Sequence, residues 1–298
     1  MIGQQSDYPR ENMELNKAEQ RKNIEKFIRR MPSLSTTVGK VMEICSRTDA
    51  SPNELNKVIS LDPVLTGQVL KLINSAYYSL VNKVTSLTRA ITMLGMNTVK
   101  NIALSTAIIR TVSSAKRSKA LPTAKFWAHS IGAGVSAKLL GELKGFSPME
   151  REELFLAGLL HDLGKVPFGD EYIEVLNFAR WEQRPLIEME RELMGIDHEE
   201  VGLMIAEKWK LNKVITGCIS SHHDVDRLEG EIGQQIALVS LGNIYANILD
   251  HGYAGDPFPA EENIERLLDF VDLSMKDFGS IGNSVGDEIH RAEMFLQI

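Results

Sequence analysis

Helix-start signals recur along this chain and strand patterns do not, and that asymmetry restricts the fold to helices packed on helices. Ser51-Pro52-Asn53-Glu54 reads as a full capping box with proline at the first helical position. Ser147-Pro148-Met149-Glu150 repeats it. Asp62-Pro63 opens a helix that places Leu65, Val69, Leu72 and Ile73 on one face. Ser86 starts another, which Gly95 should end as a left-handed cap, and Asn97 should cap the next. Further on, a very apolar helix runs from Leu154 to Leu163, where Gly164 should stop it. Asp197 with Glu200 caps a helix from His198 to about Lys210, and helices over Lys213–His223 and Ile232–Leu249 follow. The expected fold is all-α, with no repeat at a fixed period.

At 298 residues and 43% hydrophobic, the chain can bury one large core or two ordinary ones. Residues 1–22 read as a polar lead-in, 23–120 as an N-terminal helical subdomain, and 121–298 as a second helical subdomain with a helical tail. The expected boundary is the polar stretch 111–124, which ends in Leu121-Pro122. A formal net charge of −7 argues against direct nucleic-acid binding, which needs a basic surface to displace counterions. The local basic patch, Arg110, Lys116, Arg117 and Lys119 beside Lys125, reads as a solvated connector. Cys45 and Cys218 lie far apart in apolar helical stretches and read as small buried residues. The first 22 residues have no signal-peptide core and no run is long enough to cross a bilayer, so the expected location is the cytoplasm.

Seven histidines carry the chemical information. His129 lies within a helix rich in Gly, Ala and Ser. His161 and Asp162 are adjacent at the end of the apolar helix, His198 sits in the first turn of a capped one, and His222 and His223 are adjacent at a helix end. His251 and His290 stand apart. A lone buried histidine is usually a hydrogen-bonded core residue. Five histidines and an aspartate gathered mostly at helix ends point instead to a site for first-row transition metals, with the carboxylate supplying charge. Such a site would lower the pKa of bound water and polarise a phosphoryl oxygen. Lys165, one turn past His161, has two readings: a cation near a phosphate or bridging ligand, or a lysine complementing a helix C-terminus.

Gly158-Leu-Leu-His-Asp-Leu-Gly-Lys165 resembles the signature of the HD superfamily of metal-dependent phosphohydrolases. Leu61-Asp62-Pro63-Val64-Leu65, Ile73-Asn74-Ser75-Ala76-Tyr77-Tyr78, Ala90-Ile91, Leu94-Gly95 and the opening Met31-Pro32-Ser33-Leu34 resemble the HDOD domain more narrowly. The likeness runs from about residue 25 to at least 250. It implies that His129 and His161 bind one metal ion, that Asp162 bridges, and that His198, His222 and His223 hold a second. It also matches Lys165 to the lysine that follows the HD pair in the HD-GYP phosphodiesterases.

Two departures weaken the catalytic implication. Asn243 stands where the superfamily supplies a last aspartate, and Asp250 is too distant to replace it. No Gly-Tyr-Pro follows His222-His223-Asp224, and Gly252-Tyr253 lies out of context downstream. Lys125 occupies the place of an acidic residue one turn before the first histidine, so no third metal is implied. The expected function is a bacterial-type regulatory module with a His/Asp metal site and little or no catalytic activity. The alternative is a metal-dependent phosphohydrolase acting on a nucleotide or cyclic di-nucleotide, with Asp162 and Lys165 carrying the catalysis. A helical scaffold without metal is the third reading. The expected cofactor is one or two divalent transition-metal ions, iron first by resemblance, with manganese, nickel or zinc also fitting the ligand chemistry. Expected partners are signalling proteins or a nucleotide-type ligand.

Overall fold

The computed structural model describes residues 17–113, 119–230, 232–256 and 263–297, and among them every regular element is helical. The first six helices are α1 (Lys17–Arg30), α2 (Thr36–Ser46), α3 (Pro52–Ile59), α4 (Pro63–Ile73), α5 (Leu87–Leu94) and α6 (Met96–Ser113). Then come α7 (Thr123–Leu143), α8 (Pro148–Leu160), α9 (Tyr172–Glu182), α10 (Leu186–Met194), α11 (His198–Trp209), α12 (Lys213–Ser221) and α13 (Gly233–Ile248). The tail supplies α14 (Ile264–Phe270), α15 (Met275–Ser280) and α16 (Val285–Ala292). No helix is long and apolar enough to cross a membrane among the described residues.

Capping residues set many of the starts. Ser51 Oγ accepts from Glu54 N at 3.2 Å and Asp62 Oδ1 from Leu65 N at 2.9 Å, each with proline at the first helical position. At Ser147 both halves of the box form: Glu150 N donates to Ser147 Oγ at 3.3 Å and Ser147 N to Glu150 Oε2 at 2.8 Å. The box expected at Ser51 is only half made, because the Glu54 carboxylate pairs with Arg47 at 2.8 Å instead. Gly95 does take positive φ, but its ψ of 161° is extended rather than left-handed helical, and α6 starts directly after it, so Asn97 lies inside the first turn and is not the cap.

The N-terminal motifs do structural work. Asn74 closes the loop after α4: its Nδ2 donates to Leu70 O and Val84 O at 2.7 and 2.8 Å, and its Oδ1 accepts from Val84 N at 2.7 Å. Tyr77 packs against Phe155 and Phe295, and Lys138 Nζ donates to Tyr77 Oη at 2.9 Å and to Glu152 Oε1 at 2.7 Å. Residues 17–22 of the expected lead-in form the start of α1, which packs on α10 and α11; the sixteen residues before them lie outside the described residues. Trp209 Nε1 donates to Pro32 O at 3.0 Å and ties α11 to the chain just beyond α1. One hydrophobic core runs from Ile24 to Phe295 through both stretches. Of the basic patch, Lys116 and Arg117 also lie outside the described residues.

The second half is built around α7, which is buried along most of its length and packs against α8 and α13. The approach is backbone to backbone. A Cβ on Gly158 would lie 2.6 Å from the Gly134 Cα, and one on Gly242 would lie 2.5 Å from Ala133 O. Only small residues permit such separations. The helix expected to run to Leu163 ends at Leu160, and a 3-10 turn over Leu163–Phe168 continues the chain. Gly164 therefore does not stop a helix. It lets the 3-10 turn press on the first turn of α11, where an added Cβ would fall 1.8 Å from His198 O.

Two glycine substitutions should consequently have opposite signs. Gly164→Ala is expected to cost about 1–3 kcal/mol or more, because the clash is with backbone that cannot yield. Gly39→Ala, exposed in α2 with nothing within 4 Å of the new Cβ, is expected to stabilise by about 0.5–1 kcal/mol. Urea unfolding of both variants checks the pair; equal effects would contradict the packing described.

Candidate metal centre

Six elements deliver the predicted residues to one buried place. His129 comes from the middle of α7, and His161 ends α8 in helical conformation. Asp162 then turns the chain into the 3-10 segment that carries Lys165. His198 is the first residue of α11, held there by the Asp197 cap, whose Oδ1 accepts from Glu200 N at 2.8 Å. His222 and His223 follow the end of α12, and Asn243 lies on α13. His161, Asp162 and His198 have no exposed surface, and His129, Lys165, His222 and Asn243 are also buried.

The groups form two sets around one carboxylate. In each of the triads His129–His161–Asp162 and His198–His222–His223, the potential ligand atoms lie within 4.8 Å of one another. Asp162 Oδ2 faces the first set, 3.3 Å from His161 Nε2 and 3.8 Å from His129 Nε2. Its Oδ1 faces the second, 3.5 Å from His198 Nε2 and 3.6 Å from His222 Nε2. Lys165 Nζ donates to Oδ2 at 2.8 Å. Lys165 is thus no exposed lysine at a helix end; it is an internal cation paired with the central carboxylate.

Hydrogen bonds behind the rings decide which nitrogen points inward. His161 Nδ1 lies 2.7 Å from Gly158 O, and His222 Nδ1 2.9 Å from Cys218 O. A carbonyl only accepts, so both Nδ1 atoms carry the proton and both Nε2 atoms present lone pairs in the neutral ring. His198 Nδ1 is likewise 2.6 Å from Glu190 Oε2, which also accepts from His198 N at 2.9 Å, while Tyr172 Oη donates to Glu190 Oε1. The Nε2 atoms of His198 and His222 then face each other at 3.3 Å, and a proton or a metal ion must lie between them. Two imidazole nitrogens bound at 2.0–2.1 Å to one tetrahedral ion sit roughly 3.3–3.4 Å apart, so the spacing suits a shared cation. Three more inward atoms, His161 Nε2, Asp162 Oδ1 and His223 Nε2, are buried with no hydrogen-bond partner. Unsatisfied buried acceptors are costly, and a cation in their midst removes that cost.

Burial pushes the His129 and His222 imidazoles down to about 3 and holds His223 well below its ordinary value, so these rings are neutral at neutral pH. Burial also opposes the charge on His198, but Glu190 outweighs it and raises the ring. For Asp162, burial alone would favour the acid; His161 and Lys165 win, and the carboxyl stays well below its usual range. Burial pushes Glu199 up to about 7, although its Oε1 accepts from His223 N at 2.7 Å. Asn243 Oδ1 stands 3.0 Å from His129 Nε2 and 3.3 Å from Asn247 Nδ2. The position is at the centre, but the oxygen is neutral and shared.

Sequence reasoning missed the residues behind the rings. Glu190 had a signal: it interrupts the apolar face of α10, among Leu186, Ile187, Met189, Leu193 and Met194, all buried. Glu199 and Tyr172 had none, since an acid in a first helical turn and a tyrosine opening a helix are both ordinary. His290 is exposed and pairs with Glu293 at 3.4 Å, apart from the centre as expected. His251 is not apart: with His129 it lines one cleft.

The HDOD domain profile matches residues 31–225. A Treponema pallidum protein of uncharacterised function is 23% identical over 244 residues, which cover 80% of this chain and 46% of that protein, so the chain spans less than half of that relative. The crystal structure of an HDOD domain protein of unknown function from Geobacter sulfurreducens superposes with a TM-score of 0.73 at 24% identity, covering 93% of this chain and 98% of that one. A Shewanella amazonensis protein, proposed in its crystal structure to be a metal-dependent phosphohydrolase, superposes at 0.65 with 21% identity, covering 96% and 99%. At these identities the likeness of the two structures establishes a shared helical fold.

The hydrogen bonds behind His198 yield a stability prediction. Glu190→Ala strands two donors of His198 and the Tyr172 hydroxyl in a buried site and is expected to cost about 3–5 kcal/mol. Tyr172→Phe removes one donor to a charged acceptor and should cost about 1.5–3 kcal/mol. Chemical unfolding of the metal-free protein measures both, and a neutral Glu190→Ala would contradict the assignment.

Proposed function

The chain belongs to the HDOD family, and from that premise we propose that it is a regulatory module whose His/Asp centre binds one or two divalent transition-metal ions with little or no turnover. The observation that carries this reading is the set of buried, inward-facing acceptors without donors: His161 Nε2, Asp162 Oδ1 and His223 Nε2, beside the opposed Nε2 atoms of His198 and His222. His129, His161 and Asp162 would hold one ion and His198, His222, His223 and Asp162 the other, with Asn243 a weak neutral donor to the first. Imidazole with one carboxylate and no cysteine suits iron, our first choice, and also manganese, nickel or zinc.

Charge supports weak catalysis. Among the described residues Asp162 is the single carboxylate grouped with the histidines, and Lys165 already lies 2.8 Å from it. Two divalent cations there would carry positive charge that the donors do not compensate. Such a centre holds an anionic ligand well, whereas a carboxylate at position 243 would hold a reactive water better. A bound ion supplies Lewis acidity toward a phosphoryl oxygen. The residues do the rest: Asp162 fixes the two histidine sets relative to each other, and Lys165 keeps that carboxylate charged and offers an ammonium to an incoming phosphate. In this reading the occupied centre signals to partner proteins or responds to a nucleotide-type ligand. The second reading, a phosphohydrolase, is favoured by the same lysine, since an internal ammonium beside the centre suits charge developing on a phosphoryl group.

Elemental analysis of protein purified without chelator tests the centre. At least one equivalent of transition metal is expected, falling at least tenfold in Asp162→Ala; metal-free wild-type protein would sink both readings. Turnover of cyclic di-GMP and of a generic aryl phosphodiester in Mn²⁺ or Fe²⁺ separates them. Rates near background are expected, and turnover lost in Asp162→Ala would make the hydrolase reading the right one. Asn243→Asp should raise metal retention during dialysis.

A further inference from the structure

α9 buries Tyr172, Val175, Leu176 and Ala179 on one face. Its other face carries Ile173, Glu174, Asn177, Arg180 and Trp181, which at 100° per residue fall within an arc of about 120°. Ile173 and Trp181 are 36% and 73% exposed, at opposite ends of this stripe. A tryptophan so exposed is unusual, since the side chain is highly buried on average. It is not loose: Phe178, partly buried behind it, meets it edge to face with ring centroids 5.6 Å apart. A supported aromatic loses little freedom when a partner covers it, which is why such side chains anchor interfaces. The apolar surface continues off the helix, because Ile248, 52% exposed, and Tyr253 line the same cleft as Arg180.

The charges on the stripe are unspent. Arg180 has no carboxylate partner among the described residues; its one bond is a long contact of 3.4 Å from Nη2 to Tyr253 Oη. Arg184, four residues on, is engaged by Glu182, Glu188 and Glu192. The Glu174 carboxylate, also exposed, meets no cation among the described residues. Glu174 and Arg180 do not neutralise each other within the chain, because six residues put them about 9 Å apart along the axis and on opposite edges of the stripe. The order of the stripe is also symmetric about Asn177. Glu174 and Arg180 lie three residues to either side of it, and Ile173 and Trp181 four.

That symmetry selects the partner. We propose that the exposed face of α9 docks on the same face of a second copy of this chain, the two helices running antiparallel about a twofold axis at Asn177. Each residue then comes level with the one equally far on the other side. Ile173 and Glu174 of one copy meet Trp181 and Arg180 of the second, and the reverse, so two apolar contacts and two ion pairs form at once. The two Asn177 amides, each both donor and acceptor, satisfy one another across the axis. Such a contact is isologous, and opposite charges flanking an apolar seam fix its antiparallel direction. Charge complementarity is needed here, because two chains of net charge −7 otherwise repel. A helix face with a flanking loop makes a small interface, and interfaces below about 1,200 Å² are weak, so the dimer exchanges with monomer. Since Arg180 lines the cleft that also reaches His129, the second copy covers part of that cleft. The contact itself is independent of whether the centre holds metal.

Sedimentation of the full chain over a hundredfold concentration range, with and without chelator, tests it. The mass should rise from one chain toward two in both conditions. Trp181→Ser should weaken association at least tenfold with an unaltered melting temperature, as expected for an exposed side chain. Glu174→Arg and Arg180→Glu each place like charges together in the dimer and should each weaken it at least tenfold. Mixing those two variants should restore association to within about threefold of wild type, since the mixed dimer contains two opposite-charge pairs; the double variant should do the same alone. A wild-type chain that stays monomeric throughout overturns the proposal. A dimer indifferent to Trp181→Ser also overturns it, as does failure of the mixture to associate better than either variant alone. A dimer that vanishes with chelator would place the contact under control of the metal centre and likewise overturn it as stated.

Discussion

Everything at the centre depends on how closely α7 can approach its neighbours. His129, His161 and Asn243 come from three helices, and their side chains can meet only because Gly134 and Gly158 bring α7 onto α8 while Gly242 brings α13 onto α7. Ordinary helix pairs stand about 8–10 Å apart. At that distance a histidine on α7 would lose reach toward an aspartate beyond the end of α8. Gly164 repeats the device on the other side, where the turn carrying Lys165 presses on the start of α11 and His198. Small residues thus set the interatomic distances of a polar site to which they contribute no polar side chain.

The polar site is balanced electrostatically with very few charges. One carboxylate stands between five imidazoles, and one ammonium stands against that carboxylate. Behind them, Glu190 and Glu199 hold His198 and the His223 backbone. The His161, His198 and His222 rings are each locked by a bond on the nitrogen that faces away from Asp162, the arrangement expected where ligand orientation matters. One carboxylate already paired with an ammonium leaves little surplus negative charge with which to neutralise two cations.

Among the described residues the N-terminal half contributes no group to the centre, yet its motifs determine how the two helices that carry His129 and His161 sit. Asn74 fixes the loop that delivers Tyr77, Tyr77 packs on Phe155 of α8, and Lys138 of α7 bonds both Tyr77 and Glu152. A tyrosine from one half thereby clamps the helix pair of the other. α1 closes the opposite side through α10 and α11. The Asn-Ser-Ala-Tyr signature is explained by these contacts, and the Asp-Pro pair by the cap it places on α4, without assigning either any chemistry.

Local rules carried much of this structure. Caps, prolines at first helical positions and apolar periodicity specify an all-helical chain residue by residue, because each acts over one turn and needs no partner from afar. The same locality marked His161, Asp162, His198, His222 and His223 as lying at helix ends. Local rules failed where two local options compete. Glu54 chose Arg47 over its own box, and Gly164 served a distant carbonyl instead of a helix stop. Tertiary structure alone decided that Lys165 is internal, that Glu190 and Glu199 stand behind the histidines, and that His251, Tyr253 and Arg180 meet in one cleft beside His129. Those facts depend on which turns of separate helices come within a few ångströms, and that is set by side-chain volumes summed over a whole core, which no short stretch of sequence encodes.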